Sequence, residues 1–388
     1  MIRNVALSSV VFLFLLSITS CTDFVEPNQL AFVMGSAIDY AEGGLLEVSH
    51  QIVIPSQLKG SSSGKVDQYI VVSAKGKNVF EASQKIQLKL SRRLMVRHRI
   101  LIAFGEKFVR QNDMSLIFDK IIRDPSYSMR DTILLIRGGS AKEFLMQKHP
   151  IEFLSSVSAD KELQTNGLGG FSARKLIIES VSEGIRPLMP FLQFEKFQFS
   201  SNKKTPIAVL RGFAVLDKNQ KIKCFLNESE GTQAVWMRGQ GTYDGITIPW
   251  KDGKGLLSFR LTHIKRRLGS HEPNSVNLTI KAQAYLLENS TTLNMAEVDN
   301  MIAVQQYLNA ALRKQLQGTI NIIQQKGTDV LGVGKYLHHK YPIWWMSQHS
   351  DWDNNFKNIK ISAQSNIQLR SIGTTSIPIK EIDEKRER

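Results

Sequence analysis

The sequence contains very few cysteines. Only Cys21 and Cys224 occur among its 388 residues, so the chain can form at most one internal disulfide. Cys21 lies in a segment that favours another use for its thiol, and Cys224 would then have no partner. The folded chain must in that case be stabilised by packing, for which a 42% content of hydrophobic residues is ample.

Long apolar runs and catalytic motifs are missing as well. After the first 20 residues no stretch is apolar enough to predict a membrane span. The sequence has no HExxH or CxxC motif, and no GxSxG frame surrounds Ser140. His338 and His339 form the one adjacent pair among eight histidines, and neighbouring helix residues point in different directions. We therefore expect no enzyme activity, no cofactor and no metal site.

The N-terminal segment has the pattern of an export signal. Arg3 precedes an apolar run at residues 5–18, which is short for a membrane span but typical of a signal peptide. The sequence Ile-Thr-Ser-Cys at residues 18–21 then resembles a lipobox, in which small residues precede a cysteine that receives a lipid. The pattern predicts signal removal after residue 20 and lipid attachment at Cys21. Two acyl chains hold a protein stably on a bilayer.

The chain is strongly basic. Its formal net charge is +15, and removal of residues 1–20 would leave +14 because Arg3 is the only charged residue among them. Such a charge favours an anionic partner, which could be a membrane surface, an acidic wall polymer or a nucleic acid. Beside a lipid anchor, the membrane surface is the simplest of the three. We therefore expect membrane lipids, and no nucleic acid, as partners.

Apolar periodicity predicts alternating strands and helices up to about residue 200. Residues 46–54 alternate with the two-residue period of a strand, whereas apolar residues after Asn78 recur every four positions, as in a helix. Further strands are expected at residues 30–39, 66–74, 100–104 and 131–139, and further helices at residues 114–124, 151–163 and 171–185. The pattern predicts a mixed sheet covered by helices.

The rest of the chain is richer in strands. Two strands are predicted around a turn at residues 217–220, followed by a short helix that carries Trp236. A strand at residues 276–284 and another at 359–369 flank a long helix at 295–326, and Asp329 is expected to cap the next helix. These elements indicate an α+β arrangement with one solvated sheet face.

Together the patterns predict an α+β fold with three mixed domains, built on mostly antiparallel sheets with flanking helices. The polar, basic stretch at residues 199–206 suggests a domain boundary near residue 200. The expected division is a signal peptide at 1–20, an N-terminal α/β domain at 21–200, a strand-rich middle domain at 201–268, a C-terminal α+β domain with the long helix at 269–374, and a disordered tail at 375–388.

Two stretches suggest surfaces. The segment SRRLMVRHR at residues 91–99 is predicted to be the exposed face of a helix end. Trp344, Trp345 and Trp352 are expected to pack in the core or between domains. A second hypothesis is that Arg92, Arg93, Trp344 and Trp345 contact lipid headgroups or partner subunits.

Several motifs, in collinear order, resemble the Ger(x)C family of spore germination lipoproteins. The opening CTDFVEPNQLAFVMGSAID at residues 21–39 is similar to the family's start, with Cys21, Gly35 and Asp39 at matching positions. The Ser-Arg-Arg at residues 91–93 and the Arg-Asp-Pro at residues 123–125 also match. The C-terminal signature matches at Asp329, Gly332, Gly334, Tyr341, Pro342, Trp352 and Phe356.

The resemblance implies a non-enzymatic C subunit of a nutrient germinant receptor. Such a subunit is expected to lie on the outer face of the spore inner membrane, held by lipid at Cys21. It would assemble there with the receptor's A and B membrane subunits and support the germination response. The resemblance also implies three α+β domains.

Two other functions stay open on the residues alone. One is a lipid-anchored extracytoplasmic solute-binding protein, although such proteins usually have two lobes of parallel sheet around a cleft. The half-solvated strands at residues 276–286 and 359–369 argue against that arrangement. The other is a wall-active enzyme, which no motif supports.

Overall fold

The computed structural model describes residues 26–53, 69–198, 204–241 and 243–372. In this part of the chain, thirteen strands form two sheets, and helices pack against both. None of the helices described there is long and apolar enough to cross a membrane. The predicted signal segment, Cys21 and the tail at 375–388 all lie outside the described residues.

The first sheet takes up the chain as far as residue 227. Its strands are β1 (Leu30–Tyr40), β2 (Leu46–Val53), β3 (Tyr69–Gly76), β4 (Arg93–Met95), β5 (Leu101–Gly105), β6 (Thr132–Arg137), β7 (Leu188–Gln198), β8 (Lys204–Leu216) and β9 (Ile222–Asn227). They are arranged in the order β3-β2-β1-β5-β6-β7-β8-β9, with β4 beside the start of β1.

The centre of this sheet is parallel. β1 pairs in parallel with β4 and β5, β5 with β6, and β6 with β7. The flanking strands β2, β3, β8 and β9 are antiparallel to their neighbours. Since β1, β4, β5 and β6 run the same way, they all begin at one edge of the sheet, which we call the amino edge. The opposite edge is called the carboxyl edge.

Helices cover both faces of the first sheet. They are α1 (Val79–Gln87), α2 (Glu106–Gln111), α3 (Ser115–Arg123), α4 (Ala141–Met146), α5 (Ser155–Thr165) and α6 (Ala173–Val181). Residues of α1, α2, α3 and α6 pack into the core on one face, and residues of α4 and α5 pack on the other. The predicted helix after Asn78 is confirmed as α1, and the Asn78 side chain caps it by accepting a hydrogen bond from the Glu81 N–H at 2.9 Å.

The second sheet carries the C-terminal part of the chain. Its strands are β10 (Tyr243–Pro249), β11 (Leu256–Glu272), β12 (Ser275–Asn289) and β13 (Lys360–Ser371) in that order, and its helices are α7 (Glu228–Met237), α8 (Val298–Gln325), α9 (Val333–Lys340), α10 (Pro342–Gln348) and α11 (Trp352–Asn355). Along α8, fully buried side chains recur at about every fourth residue. The predicted long helix is thus confirmed, and its length is about 42 Å.

The α+β class is confirmed, but the three-domain division does not match the sheets. The boundary expected at residue 200 falls in the connection between β7 and β8, which pair along eleven positions. The expected middle domain is divided between the sheets, because β8 and β9 belong to the first and β10 and β11 to the second. Among the described strands, six pairings are antiparallel and five are parallel, so the predicted mostly antiparallel character is confirmed by a small majority.

The boundary expected at residue 268 falls inside β11, a strand that the sequence analysis did not identify. The apolar alternation of Leu257, Phe259 and Leu261 changes phase before Ile264, where the register with β12 shifts. His263 has a φ of 53° at this position. A β-bulge inserts one residue and moves the following side chains to the other phase, so two-residue periodicity fails across it.

The two sheets are joined by a junction of hydrogen bonds and ion pairs. The backbone N–H of Arg186 donates to the Asp329 carbonyl at 2.7 Å, and the Arg186 guanidinium pairs with Asp353 at 2.7 Å. Trp345 Nε1 donates to Glu183 at 2.9 Å. Arg238 pairs with Glu179 and donates to the Val330 carbonyl at 2.6 Å. This junction connects the loop before β7 to the residues around α9, α10 and α11.

Two glycines meet at the centre of the junction. The Lys335 N–H donates to the Gly184 carbonyl at 2.9 Å, which brings the backbones of Gly184 and Gly334 together. A Cβ at Gly334 would lie 2.6 Å from the Gly184 Cα and 2.6 Å from the Trp352 ring. Gly184 itself has a φ of +68°, which disfavours a side chain there too. The approach therefore requires glycine on both sides.

We expect Gly334→Ala to lower the free energy of unfolding by at least ~2 kcal/mol, because overpacking against backbone cannot relax by a rotamer change. Gly318→Ala is the matched control. Gly318 lies inside α8 with nothing within 4 Å of its added Cβ, so alanine there should stabilise the helix by up to ~1 kcal/mol. Urea unfolding of both variants checks this. Equal effects of the two substitutions would contradict the packing described here.

Candidate functional site

A buried ion pair lies beneath the amino edge. Arg99 Nε donates to Asp131 Oδ2 at 2.8 Å, and Nη2 lies 2.7 Å from the same oxygen. The two side chains are 3% and 0% exposed. Burial raises the pKa of Asp131, and the positive charge of Arg99 opposes that shift. Neither charge is tolerated there without the other.

The pair extends into a polar network. Arg99 Nη1 donates to Ser36 Oγ at 3.1 Å, and Ser36 Oγ shares a hydrogen bond of 2.9 Å with His50 Nδ1. Burial, together with the charge of Arg99, lowers the pKa of His50 to about 3, so this ring is neutral at physiological pH. The Arg99 guanidinium also lies over the Tyr127 ring, 4.9 Å from its centroid.

The network ties together separate parts of the first sheet. Ser36 and His50 lie on the paired strands β1 and β2. Arg99 comes just before β5 and Asp131 just before β6, and these neighbouring strands are aligned with Leu101 opposite Thr132. Opposite charges at the starts of adjacent parallel strands therefore meet. The loops at residues 97–100 and 127–131 are fixed to the sheet and to each other.

These fixed segments display arginines at the surface. We define the basic edge as Arg92, Arg93, Arg97, Arg130 and Arg174. Arg92 is half-buried and the other four are exposed. Within the described ranges, none of the five forms an ion pair with a carboxylate.

Contacts with the sheet and between loops place these arginines along the amino edge. Arg93 is opposite Leu30 in the β1–β4 register, and the ring of His98, next to Arg97, lies 6.0 Å from the Phe32 ring. The Arg174 N–H donates to the Met129 carbonyl at 2.9 Å, next to Arg130.

A cleft of about 460 Å³ opens at the centre of this edge. Arg97, Arg99 and Arg130 line it, and Asp160 is the one acidic residue in its lining. The Asp160 carboxylate is already engaged, because it accepts from Thr132 Oγ1 at 2.5 Å and from Gln164 Nε2 at 2.7 Å. The cleft can therefore receive an anion, for which exposed guanidinium groups are suitable donors.

The carboxyl edge is electrically different. Three of its cations are paired, Lys85 with Glu81, Arg110 with Glu106 and Lys142 with Glu47, each at 2.7 Å. Two further exposed cations there, Lys77 and Lys107, form no ion pair with a carboxylate among the described residues. A larger cleft of about 770 Å³ lies on this side, between the β1–β2 turn and the helices α1 and α3. The exposed apolar side chains of Phe80 and Leu116 contribute to its lining.

The structure tests several expectations about site residues. Cys21 lies outside the described residues, so lipid attachment there stays a prediction. The expected helix end at residues 91–99 is wrong, because α1 stops at Gln87 and residues 93–95 form the short strand β4. Packing of the tryptophans is confirmed for Trp345 and Trp352, each 2% exposed. Trp345 is therefore not available for a surface contact.

Sequence reasoning missed the Arg99–Asp131 pair. A signal for it does exist, because each residue stands directly before a short apolar run, Arg99 before ILIAF and Asp131 before TILLI. The charges become partners only when the two strands are known to be parallel neighbours. Apolar periodicity within one segment carries no such information.

The carboxylates that match family positions hold backbone groups. Asp39 accepts from the N–H groups of Ala141 and Lys142, at 2.8 and 2.9 Å. Asp329 is fully buried and accepts from Val333 and Gly334, at 3.1 and 2.7 Å. The predicted cap by Asp329 is thus confirmed. No group of three or more potential metal ligands occurs in the part of the chain that the structure describes.

Both halves of the chain match models of known protein families. The model described as "Spore germination protein N-terminal domain" matches residues 23–193, and that described as "Spore germination B3/ GerAC like, C-terminal" matches residues 211–373. Spore germination protein KC of Bacillus subtilis (strain 168) is 23% identical over 401 residues, 98% of each chain. The putative spore germination protein YfkR of the same organism is 26% identical, covering 89% of this chain and 90% of that one.

A solved structure supports the fold. It is described as "Crystal Structure of the GerBC protein" and is similar with a TM-score of 0.55, at 17% identity, over 90% of this chain and all of that one. Fold and site together define a mixed α+β protein in which the buried carboxylates of Asp39 and Asp329 accept hydrogen bonds from backbone N–H groups. The chain belongs to the Ger(x)C family of spore germination proteins, which confirms the resemblance seen in the sequence.

We expect Asp131→Asn to lower the free energy of unfolding by about 3–5 kcal/mol, because it leaves the buried Arg99 charge without a partner. The control is Glu106→Gln, which removes the exposed pair with Arg110 and should cost under ~1 kcal/mol. Replacing both partners, Arg99→Met with Asp131→Leu, should recover most of the loss. Denaturant unfolding measures all three, and an Asp131→Asn variant as stable as Glu106→Gln would refute a buried, coupled pair.

Proposed function

We propose that this chain is a non-enzymatic subunit of a nutrient germinant receptor. In this proposal it is anchored by lipid at Cys21 on the outer face of the spore inner membrane, where it assembles with the receptor's A and B membrane subunits. The observation that carries the proposal is the collinear match to spore germination proteins over nearly the whole chain.

The use of the polar groups supports a role in assembly. Arg99 and Asp131 neutralise each other, Asp39 and Asp329 cap helices, and Glu179 pairs with Arg238. A catalytic site needs acidic or basic side chains that are free to contact a substrate, whereas these side chains are already bound to one another or to the backbone. The exposed charge instead lies on the surface, which favours contacts with other macromolecules or lipids.

The position of the first strand supports attachment at Cys21. Leu30 is the first residue of β1 and lies at the amino edge, opposite Arg93. Leu30 is nine positions after Cys21, a span of at most about 30 Å. A lipid at Cys21 would therefore hold the amino edge close to the bilayer and confine the protein to two dimensions, which raises its effective concentration near membrane partners.

The proposal is tested by isolating the tagged protein from dormant spores after mild crosslinking. We expect two integral membrane subunits of a receptor to be recovered with it. In a Cys21→Ala variant, most of the protein should leave the membrane fraction after a high-salt wash, and nutrient germination should fall towards that of a deletion strain.

Cys224→Ala is the matched control. Cys224 is a partly buried thiol whose pKa is raised by burial, so its loss should change neither fractionation nor germination. Recovery of the wild-type chain without membrane subunits would refute the receptor role. Unchanged membrane retention of Cys21→Ala after the salt wash would refute the anchor.

A further inference from the structure

The basic edge combines unpaired arginines with exposed apolar side chains. None of its five arginines has an ion-pair partner within the described residues, whereas three cations of the carboxyl edge, Lys85, Arg110 and Lys142, each pair with a glutamate. Of the acidic groups near this edge, Asp131 is neutralised by Arg99, whereas Asp160 and the exposed Glu26 accept hydrogen bonds only from neutral groups and keep their charge. Two carboxylates therefore face five arginines. The edge therefore has an excess of positive charge that is available to an anionic partner.

Apolar side chains flank the arginines. Leu88, at the end of α1, is 88% exposed, and Met129, next to Arg130, is 39% exposed. Leu88 belongs to the segment fixed by Gln87, whose side chain donates to the Arg92 carbonyl at 2.9 Å. Arginines interspersed with exposed apolar residues suit the region between lipid headgroups and acyl chains.

We propose that the basic edge is a docking surface for an anionic phospholipid bilayer. Guanidinium groups bind phosphate through paired hydrogen bonds, and the central cleft has room for a headgroup between Arg97 and Arg130. The chain that follows Cys21 enters β1 at this same edge, at Leu30. A lipid at Cys21 would therefore turn the basic edge towards the bilayer, and in this point the inference rests on the proposed function.

Rigidity favours this docking. The loops that carry Arg97 and Arg130 are held by the buried Arg99–Asp131 pair and need little further ordering on contact. Electrostatic attraction acts within a Debye length of about 8 Å at physiological salt, and a tether of at most about 30 Å keeps the edge near enough to reach that distance repeatedly. Docked in this way, the protein directs its carboxyl edge and the 770 Å³ cleft away from the bilayer.

The test measures binding of the chain from residue 21, carrying Cys21→Ser, to vesicles with about 30% phosphatidylglycerol in phosphatidylcholine. Each arginine near an anionic surface contributes about fivefold to the partition coefficient. We therefore expect the triple variant Arg93→Ala, Arg97→Ala, Arg130→Ala to bind about a hundredfold more weakly. Binding of the parent chain should be lost on pure phosphatidylcholine and in high salt.

The matched control is the triple variant Lys85→Ala, Arg110→Ala, Lys142→Ala, which removes the same charge from the carboxyl edge. It should bind within threefold of the parent. Equal losses in the two triple variants, or no dependence on phosphatidylglycerol, would overturn the proposal. Circular dichroism should show both variants folded, since all six side chains are at the surface. Because no lipid at Cys21 and no receptor subunit takes part, failure here would leave the proposed receptor role untouched.

Discussion

The arrangement of the first sheet depends on one constraint, that the charges of Arg99 and Asp131 are buried together and neither is tolerated alone. The pair fixes the starts of two parallel strands and, through Ser36 and His50, the strands β1 and β2. The loops that precede β5 and β6 therefore have one arrangement, and the exposed arginines on them have defined positions. The buried Arg99–Asp131 pair thus determines where the exposed Arg97 and Arg130 lie on the surface.

The two ends of the sheet are used differently. At the amino edge, buried charges hold loops that present unpaired arginines, and the chain leading from Cys21 joins the structure there. At the carboxyl edge three cations are paired with glutamates and a larger cleft is open. The C-terminal family positions serve a third purpose, because Asp329, Gly334 and Trp352 build the junction between the sheets. Proposed membrane contact and structural coupling thus occupy separate regions of the molecule.

Local patterns allowed much of the fold to be predicted. The helix α8, the strand β12 and the cap at Asp329 follow from spacings within one segment, and all three are present. Features that depend on distant segments were missed. The bulge at His263 interrupts the two-residue period of β11, so this strand was not predicted. The polar stretch at residues 199–206 was interpreted as a domain boundary, although β7 and β8 pair across it. Arg99 and Asp131 are brought together only by the register of β5 and β6. The candidate site could be predicted only in part, since Arg92, Arg93 and Arg97 lie in the segment 91–99 that the sequence singled out, whereas Arg130 and Arg174 were not identified.

The most direct test of the account is the depth of the two edges in a bilayer. Spin labels would be placed by Arg97→Cys and, separately, by Gln111→Cys at the exposed end of α2, each in a lipid-modified Cys224→Ala chain on anionic vesicles. Collision rates with lipid-soluble oxygen and a water-soluble nickel complex report the depth. The account expects the label at 97 at headgroup level and the label at 111 fully in water. Two equally aqueous labels, or a deeper label at 111, would contradict it.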